Sequence, residues 1–359
     1  MISGSYPPLV CGVGDYSYNL ARALADLPKT HVSVLTSTGG CEHNDMGGKI
    51  EVISIMKGWR VFELLKVVKV ILLTCPDIIH IQYPTQGYKN GLLPLLLPIL
   101  GFLMRKKIVQ TWHEFPIKPF DCNFYLKAIV TGGLVVVRPQ YLEMLHPKLR
   151  SVLKYKKVVF IRSASAIPKI TLNEGEYIKI RKNYIKKQKR LVVFFGFINQ
   201  NKGTELLFDI ADPDLDQIII AGQFGANEYY NQKIKQRAIQ PPWEGKVTIT
   251  GYISSHDVAA LLAVADAVIL PFCDGGGIWN TSIHAAELQG AFILTTTRSS
   301  IGFDKERNIY FSEIDDIQSM RMALNTYAGK FKKSNCEIEN DEWLQIAVEH
   351  QNLYKALLH

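Results

Sequence analysis

The feature that most constrains the fold is an alternation of short β-rich runs with helical stretches, which is completed once and then begins again. In the first half, the runs are apolar at nearly every position, and helical stretches such as 59–73 and 139–153 separate them. Runs that are apolar on both faces and joined by helices are typical of a parallel sheet covered on both sides. The predicted strands of this half are 31–37, 49–55, 77–84, 107–115, 133–139 and 157–163.

The pattern restarts after the polar, basic stretch 173–190, with strands predicted at 191–197, 217–224, 246–252, 267–272 and 291–297. A chain of 359 residues exceeds what one hydrophobic core usually supports. We therefore predict an α/β fold of two doubly wound, Rossmann-like domains, at 1–187 and 188–335, with a closing helix in 336–359 that returns toward the first domain. Ligands of such sheets bind beyond the carboxyl ends of the strands, so two facing sheets are expected to form one cleft.

Composition narrows the class of protein. A hydrophobic share of 47% with 21% charged residues is that of an ordinary globular protein. The six cysteines lie far apart with no CxxC pair, and no signal-peptide pattern opens the chain, so a reduced, cytoplasmic location is expected. Because no acidic pair has metal-ligand spacing, no metal is expected.

Two segments suggest contact with a surface. Between Lys148 and Arg190 there are 14 Lys or Arg residues against two Glu residues, a local charge of 14 − 2 = +12 in a chain of net charge +8. No zinc-finger, RNP or heptad pattern accompanies it, so nucleic acid is not the expected partner, whereas anionic lipid or an acidic polymer would fit. The apolar stretch 91–104, followed by Arg105, Lys106 and Lys107, is too short to span a bilayer; it is either a buried helix or one that dips into a membrane interface.

The first motif is Gly12-Val13-Gly14-Asp15, which lies between a very short predicted strand and a helical stretch. Glycine lets a ligand or a facing loop approach the backbone, and a helix start offers free N–H groups to an anion, with Asp15 near the N-cap. The motif is not the dinucleotide fingerprint, because Ser17 stands where a third glycine is needed. A tight turn that packs helix on strand explains it equally well.

The second half carries two further loops that suit a phosphate. Gly196 ends a predicted strand, and Lys202-Gly203 is predicted to open the next helix, which would combine a cation with free N–H groups. Three glycines, at 275–277, lead to Asn280, Thr281 and Ser282 at another predicted helix start. The alternatives are a surface lysine and a flexible loop with a serine cap. Together, however, the two loops could hold a single diphosphate.

Taken in order, the stretches "PPLVCGVGDYSYNLARAL", "PDIIHIQYP", "TWHEF", "FFGFINQNKG" and "VTITGYISSHDVAALLAVADAVILPF" resemble a retaining glycosyltransferase of family 4, the glycosyl transferases group 1. The resemblance covers nearly the full length and is to enzymes of bacterial polysaccharide biosynthesis with the GT-B architecture. It implies an enzyme that moves a hexosyl group from a nucleotide-diphosphate sugar to a glycan or lipid-linked acceptor, with retention of configuration. The donor is a substrate, so no cofactor is implied, and the enzyme would contact an anionic membrane peripherally, at the inner face of the plasma membrane.

The resemblance also assigns residues. His113 and Lys202 would be catalytic, and the acceptor side would hold Asp15, Gln82, Tyr83 and His113. The remaining residues would bind the donor: Gly12, Gly14, Gly196, Lys202, Gly203, Gly251, Tyr252, Asp274, Gly276, Gly277, Asn280, Thr281 and Ser282. A structural histidine is the alternative for His113. In the implied front-side displacement, the leaving diphosphate takes the acceptor proton while Lys202 and helix starts stabilise its charge.

The chain departs from the family pattern at three positions. Phe197 stands where an arginine is usual, and Gly277 and Ala285 stand where the family has a pair of glutamates. A related subgroup has a glycine- and serine-rich loop there, which "DGGGIWNTS" resembles; Asp274 or His284 would then help the glycine backbone to orient the donor sugar. The alternatives are a sugar-nucleotide-binding relative that has lost turnover and a sugar-nucleotide epimerase, which would need acidic residues to move protons from carbon.

Overall fold

A computed structural model of the chain describes residues 1–39, 48–89, 91–114, 122–330 and 342–358. These residues form two compact units. The first comprises 1–164 and the C-terminal helix (Glu342–Leu358), and the second begins at Ser165.

The first unit is built on parallel strands: β1 (Val32–Ser37), β2 (Ile50–Met56), β3 (Ile78–Tyr83), β4 (Lys107–Trp112), β5 (Gly133–Val136) and β6 (Lys157–Phe160). β1 pairs with β2, and β3 to β6 pair in sequence order. Ile2 bridges the two groups, because it pairs with Leu35 on one side and Ile81 on the other. The sheet therefore winds outward from Ile2 in both directions, which places a switch point between Ile2 and β3.

Helices cover both faces of this sheet: α1 (Gly12–Asp26), α2 (Leu64–Thr74), α3 (Leu93–Leu103), α4 (Cys122–Val130), α5 (Tyr141–Met144) and α6 (Pro147–Leu153). Leu20 and Leu24 of α1 share one buried cluster with Ile346 of the C-terminal helix. A separate cluster holds Val67 of α2 and Leu97 of α3.

Two helical stretches are shorter than their sequence predicts. Residues 61–63 form a 3₁₀ turn before α2 begins. The stretch 139–153 is divided into α5 and α6, because Leu145 is extended and Pro147 starts a new helix, where its missing N–H is tolerated.

The second unit holds β7 (Arg190–Phe195), β8 (Asp216–Ala221), β9 (Val247–Gly251), β10 (Ala267–Leu270), β11 (Ile293–Thr297), β12 (Gly302–Asp304) and β13 (Ile309–Glu313). Their order is β12-β13-β11-β10-β7-β8-β9, and every pair is parallel except β12 with β13. The helices are α7 (Glu174–Tyr184), α8 (Leu207–Ile210), α9 (Glu228–Ile239), α10 (Ser255–Val264), α11 (Thr281–Leu288) and α12 (Ile317–Tyr327). The chain changes winding direction between β7 and β10, which is the doubly wound order.

The division between the units lies earlier than the predicted boundary at 187/188, because residues 165–187 pack on the second unit. Ile167 is buried in the core of that unit, and Tyr177 and Ile180 of α7 pack against it. Arg181 donates to Asp266 at 2.6 Å. The polar composition of this stretch resembles a linker, whereas its few apolar residues fix it to β7 and its neighbours.

No helix in the described part of the chain is both long enough and apolar enough to cross a membrane.

Candidate functional site

The carboxyl ends of β7 and β10 lie at the switch point of the second unit, where open α/β sheets bind their ligands. Gly196 follows β7 with φ +138°, and a Cβ there would meet nothing within 4 Å. The loop after β7 is fixed to the loop after β10, since the Cys273 amide donates to the Asn201 carbonyl at 3.2 Å. Gly203 has φ +63°, and a Cβ at this position would collide with the Pro271 carbonyl.

Lys202 lies inside this junction. Its ammonium nitrogen is 4.6 Å from the centroid of the Phe272 ring, and the side chain is half-buried. The helix predicted to start at Lys202-Gly203 is instead a 3₁₀ turn, residues 204–206, followed by the single turn of α8. So short a helix provides little dipole, and Lys202 therefore contributes mainly its own charge.

A regular helix start is provided by α11, directly after the glycine loop. Asn280 occupies the N-cap position, but its side chain does not cap the helix. Its Oδ1 atom instead accepts from the Gly277 amide at 2.9 Å. The first amides of α11, those of Thr281 and Ser282, are therefore left uncapped by a side chain and suit an anionic ligand.

The glycine loop is held by bonds of its own. The Gly276 amide donates to the Thr296 carbonyl at 2.7 Å, and the Trp279 ring covers the position that a Cβ of Gly277 would take. Both glycine amides predicted to orient the donor sugar are thus already used within the unit. His284 is likewise engaged, because its Nε2 donates to the Ile278 carbonyl at 2.7 Å.

Two more predicted donor positions lie at this edge. Asp274 is exposed and pairs with Arg298, whose guanidinium donates to the carboxylate at 3.3 Å. Gly251 ends β9 with φ +70°, and the exposed Tyr252 follows it. Since β9 lies two strands from β7, these residues are about 10 Å along the sheet edge from Gly196.

In the first unit, the glycine motif forms the first turn of α1 and not a loop before it. The N-cap is Cys11, so Asp15 does not cap the helix as predicted. A Cβ on Gly14 would lie 3.1 Å from the Cβ of Ser5, whereas one on Gly12 would meet nothing within 4 Å. Gly14 is therefore required for packing, and Gly12 leaves an open surface. Burial raises the pKa of Asp15 to about 6.

His113 follows β4 and is fixed by a chain of hydrogen bonds. Its Nε2 donates to Gln82 Oε1 at 2.9 Å, and Gln82 Nε2 donates to His80 Nε2 at 3.3 Å. Thr111 also donates to His80 Nε2, at 2.7 Å, so His80 carries its proton on Nδ1 and donates it to Tyr354 Oη at 2.6 Å. Because Gln82 Oε1 can only accept, His113 is protonated at Nε2 and keeps the lone pair on Nδ1.

Burial keeps three histidines of the first unit neutral. It lowers the pKa of His113 to about 3, with a further contribution from His350, and the pKa of His350 to about 4. The pKa of His80 is also well below its ordinary value. His113 therefore acts as a neutral hydrogen-bonding group. The predicted acceptor residues Gln82 and Tyr83 serve the unit itself, since the Gln82 amide bonds two histidines and the Tyr83 ring packs on Tyr88 and Phe124.

Sequence reasoning missed three members of these sites. Arg298 directly follows β11, and a cation after a predicted strand was a usable signal. His80 and Tyr354 are 274 residues apart, and nothing local indicates their contact. Within the described ranges, no group of three or more His, Cys, Asp or Glu side chains could hold a metal ion.

The comparison with known protein families finds its match in the second unit. Residues 189–327 match the family described as Glycosyl transferases group 1. No curated protein sequence matches the chain significantly. The resemblance to this group is therefore confirmed at the level of the second unit.

Solved structures match over the whole chain. A glycosyltransferase from Rickettsia africae and sucrose-phosphate synthase from Thermosynechococcus elongatus each have a TM-score of 0.74 at 15% identity, over 99% of this chain and 98% of theirs. Anabaena HepE in complex with UDP-glucose has a TM-score of 0.67 at 16% identity, over 99% of this chain and 94% of its own. The predicted α/β fold of GT-B glycosyltransferases is confirmed.

Proposed function

We propose that this chain is a metal-independent glycosyltransferase of family 4 that moves a hexosyl group from a nucleotide-diphosphate sugar to a glycan or lipid-linked acceptor, with retention of configuration. The observation that carries the proposal is the second-unit switch point, where the Lys202 ammonium and the uncapped start of α11 lie within the segment that matches the family. A cation beside free amides, at the carboxyl ends of β7 and β10, suits a diphosphate.

The reaction assigns a task to each group. The acceptor oxygen forms a bond to the anomeric carbon, the bond from that carbon to the diphosphate oxygen breaks, and the leaving diphosphate takes the acceptor proton. Lys202 and the amides of Thr281 and Ser282 stabilise the negative charge that develops on the diphosphate. No side chain has to act as a nucleophile in this scheme.

The first unit would hold the acceptor. Neutral groups bind hydroxyls without a net charge to desolvate, and His113 offers its Nδ1 lone pair as an acceptor. Asp15, with a pKa raised to about 6, is ionised at neutral pH and can accept from a sugar hydroxyl. We further propose a role in polysaccharide biosynthesis, in which the acceptor is presented at the inner face of the plasma membrane.

A second candidate, a nucleotide-sugar-binding relative without turnover, has specific support. Phe197 replaces the usual arginine, and the Gly276 and Gly277 amides are already bonded within the unit. Both candidates predict donor binding, but only the enzyme predicts release of nucleoside diphosphate.

The experiment is a thermal-shift screen of nucleotide sugars, followed by an assay of nucleoside diphosphate release with the sugar that stabilises the protein. A donor at 100 times its dissociation constant adds about 2.7 kcal/mol of stability. Stabilisation with release supports the enzyme, and stabilisation without release supports the binding relative. No stabilisation by any nucleotide sugar contradicts both.

A further inference from the structure

The outward face of α2 is apolar. Leu65, Leu72 and Leu73 lie on that face, and Phe62 precedes the helix, all with between 68% and 76% of their surface exposed. Leu72 and Leu73 follow Leu65 by seven and eight residues, about two helical turns, which places the three leucines on one stripe, opposite the buried Val67 and Ile71. Contiguous exposed apolar surface of this kind marks an interaction site.

Two neighbouring helices extend the stripe. α2 and α3 lie side by side: near their starts the Leu93 amide donates to the Trp59 carbonyl at 3.0 Å, and near their ends Lys106 Nζ lies 3.7 Å from Cys75 Sγ. We call the combined surface the leucine face. Its exposed members are Val61, Phe62, Leu65, Leu72 and Leu73 around α2, Leu92, Phe102 and Leu103 around α3, and Leu126 and Ile129 on α4, which packs beside α3.

Cations accompany the leucine face. Lys66 and Lys69 lie on α2, and Arg105, Lys106 and Lys107 follow α3. In 61–74 and 92–107 the only acidic residue is Glu63. It is buried and accepts from Lys66 at 2.9 Å; against the cost of burial, this bond and those from the Lys57 and Gly58 amides hold the pKa of Glu63 at about 2. The exposed charge of these two stretches is therefore positive.

We infer that the leucine face docks on an anionic lipid bilayer, with the leucines at the acyl boundary and the cations at the headgroups. Apolar side chains between lysines and arginines complement such a surface, whereas a second copy of the chain would bring cation against cation. This inference deepens the proposed function, on which it rests for the lipid-linked acceptor, by naming the surface that meets the membrane.

The structure favours this surface over the basic stretch 148–190. That stretch is divided at Ala164, so part of its charge belongs to the first unit and part to the second. Part of its charge is neutralised by acids from outside the stretch, in the ion pairs Arg162–Glu342, Arg181–Asp266 and Arg190–Asp216. Lys186, Lys187 and Lys189 remain exposed and provide the competing variant.

The test is flotation of the full chain with vesicles of phosphatidylcholine alone or with phosphatidylserine, at low and high salt. The leucine-face variant is Leu65→Ser with Leu72→Ser. Its matched control is Ile239→Ser with Met322→Ser, two exposed apolar residues of the second unit. The lysine variant is Lys186→Gln, Lys187→Gln and Lys189→Gln. Light scattering on each sample gives the oligomeric state, and a thermal shift with the nucleotide sugar reports donor binding.

We expect the wild type, the matched control and the lysine variant to float with anionic vesicles, less at high salt, and the leucine-face variant to partition at least about tenfold less, or 1.4 kcal/mol. The inference is overturned if nothing floats, if the leucine-face variant floats like the wild type, or if the lysine variant alone loses flotation. If the wild type is a dimer and the leucine-face variant is a monomer, the leucine face binds a second copy of the chain, and the inference is overturned. A donor thermal shift without flotation rejects the leucine face alone, and flotation without a shift rejects the donor site alone.

Discussion

The two units wind their sheets in the same way but place different chemistry at the switch point. In the second unit the loops after β7 and β10 hold Lys202 and the uncapped start of α11. In the first unit the corresponding edge holds Asp15 and the neutral His113. One topology therefore provides a positive site in one unit and a neutral to negative site in the other.

The difference shows that the fold fixes where a ligand binds, whereas a few side chains decide which ligand. A diphosphate needs a cation and free amides, and the second-unit edge offers both in Lys202 and the start of α11. A sugar hydroxyl needs donors and acceptors of fixed direction. The chain of bonds from Tyr354 through His80 and Gln82 provides that direction for His113.

Acidification should produce the largest contrast between the units. His80, His113 and His350 are held neutral by burial in the first unit, so their folded pKa values lie below the unfolded value of 6.5. The stability they contribute is complete above pH 6.5 and is lost as the pH falls toward 4. Between pH 6.5 and 5, each histidine that stays neutral in the fold lowers the free energy of unfolding by about 2 kcal/mol.

Urea unfolding at pH 7 and pH 5 measures this loss. His350→Gln should reduce the pH dependence, whereas His256→Gln, at an exposed position of the second unit, should leave it unchanged. Equal pH dependence in both variants would show that the buried histidines do not govern acid stability. Asp15 acts in the opposite direction, because its raised pKa makes stability fall as pH rises from about 4 to 6.

The second prediction concerns the cation. Lys202→Ala should lower donor affinity by about 1.5 to 3 kcal/mol, or roughly 10- to 150-fold, because it removes a charge-assisted contact with the diphosphate. The matched control is Lys235→Ala, since the Lys235 ammonium lies 4.9 Å from the Phe224 ring centroid in the same unit. Isothermal titration with the nucleotide sugar compares the two. If both variants bind like the wild type, Lys202 does not contact the diphosphate.

The third prediction separates the two glycines of α1. Gly14→Val should destabilise the protein by about 1 to 3 kcal/mol, because its Cβ would press on Ser5, where the backbone has little room to move. Gly12→Val has open space and should instead reduce the rate of transfer at nearly unchanged stability. Melting temperature and rate together test the pair. A stable, fully active Gly12→Val variant would remove this surface from the acceptor site.

The sequence alone predicts much of this architecture, because local patterns determine strands. Eleven of the twelve predicted strands correspond to β1 to β11, since each is a dense apolar run bounded by polar residues. The very short strand predicted before Gly12 is reduced to the isolated bridges of Ile2. β12 and β13 were missed because β12 has only three residues and a charged turn separates it from β13. For the second unit, the sequence predicts a doubly wound sheet but not the order of its strands, because strand pairing is decided by contacts distant in sequence.

The sites were predictable to the level of the loop and no further. Glycines and Lys202 indicate the correct edge of the second unit, but the bond from Gly276 to Thr296 joins the glycine loop to β11 and leaves no local signal. The same holds for Gln82, whose two histidine partners come from β3 and the residue after β4. The sequence shows which residue stands at a site, whereas the hydrogen-bond partners of that residue depend on the fold.

The smallest predicted effect adds a charge where the family usually has one. Phe197 follows Gly196 directly and is half-buried, so Phe197→Arg would place a guanidinium beside the β7 end of the second-unit site. Arginine binds phosphate in a bidentate way, and a partly solvated contact of this kind should raise donor affinity by up to about tenfold, or 1.4 kcal/mol. Phe197→Leu is the control, because it removes the ring without adding charge. If Phe197→Arg and Phe197→Leu bind the nucleotide sugar equally, the diphosphate does not lie next to Gly196. The contrast between the positive switch point of the second unit and the neutral to negative one of the first then rests on Lys202 and α11 alone.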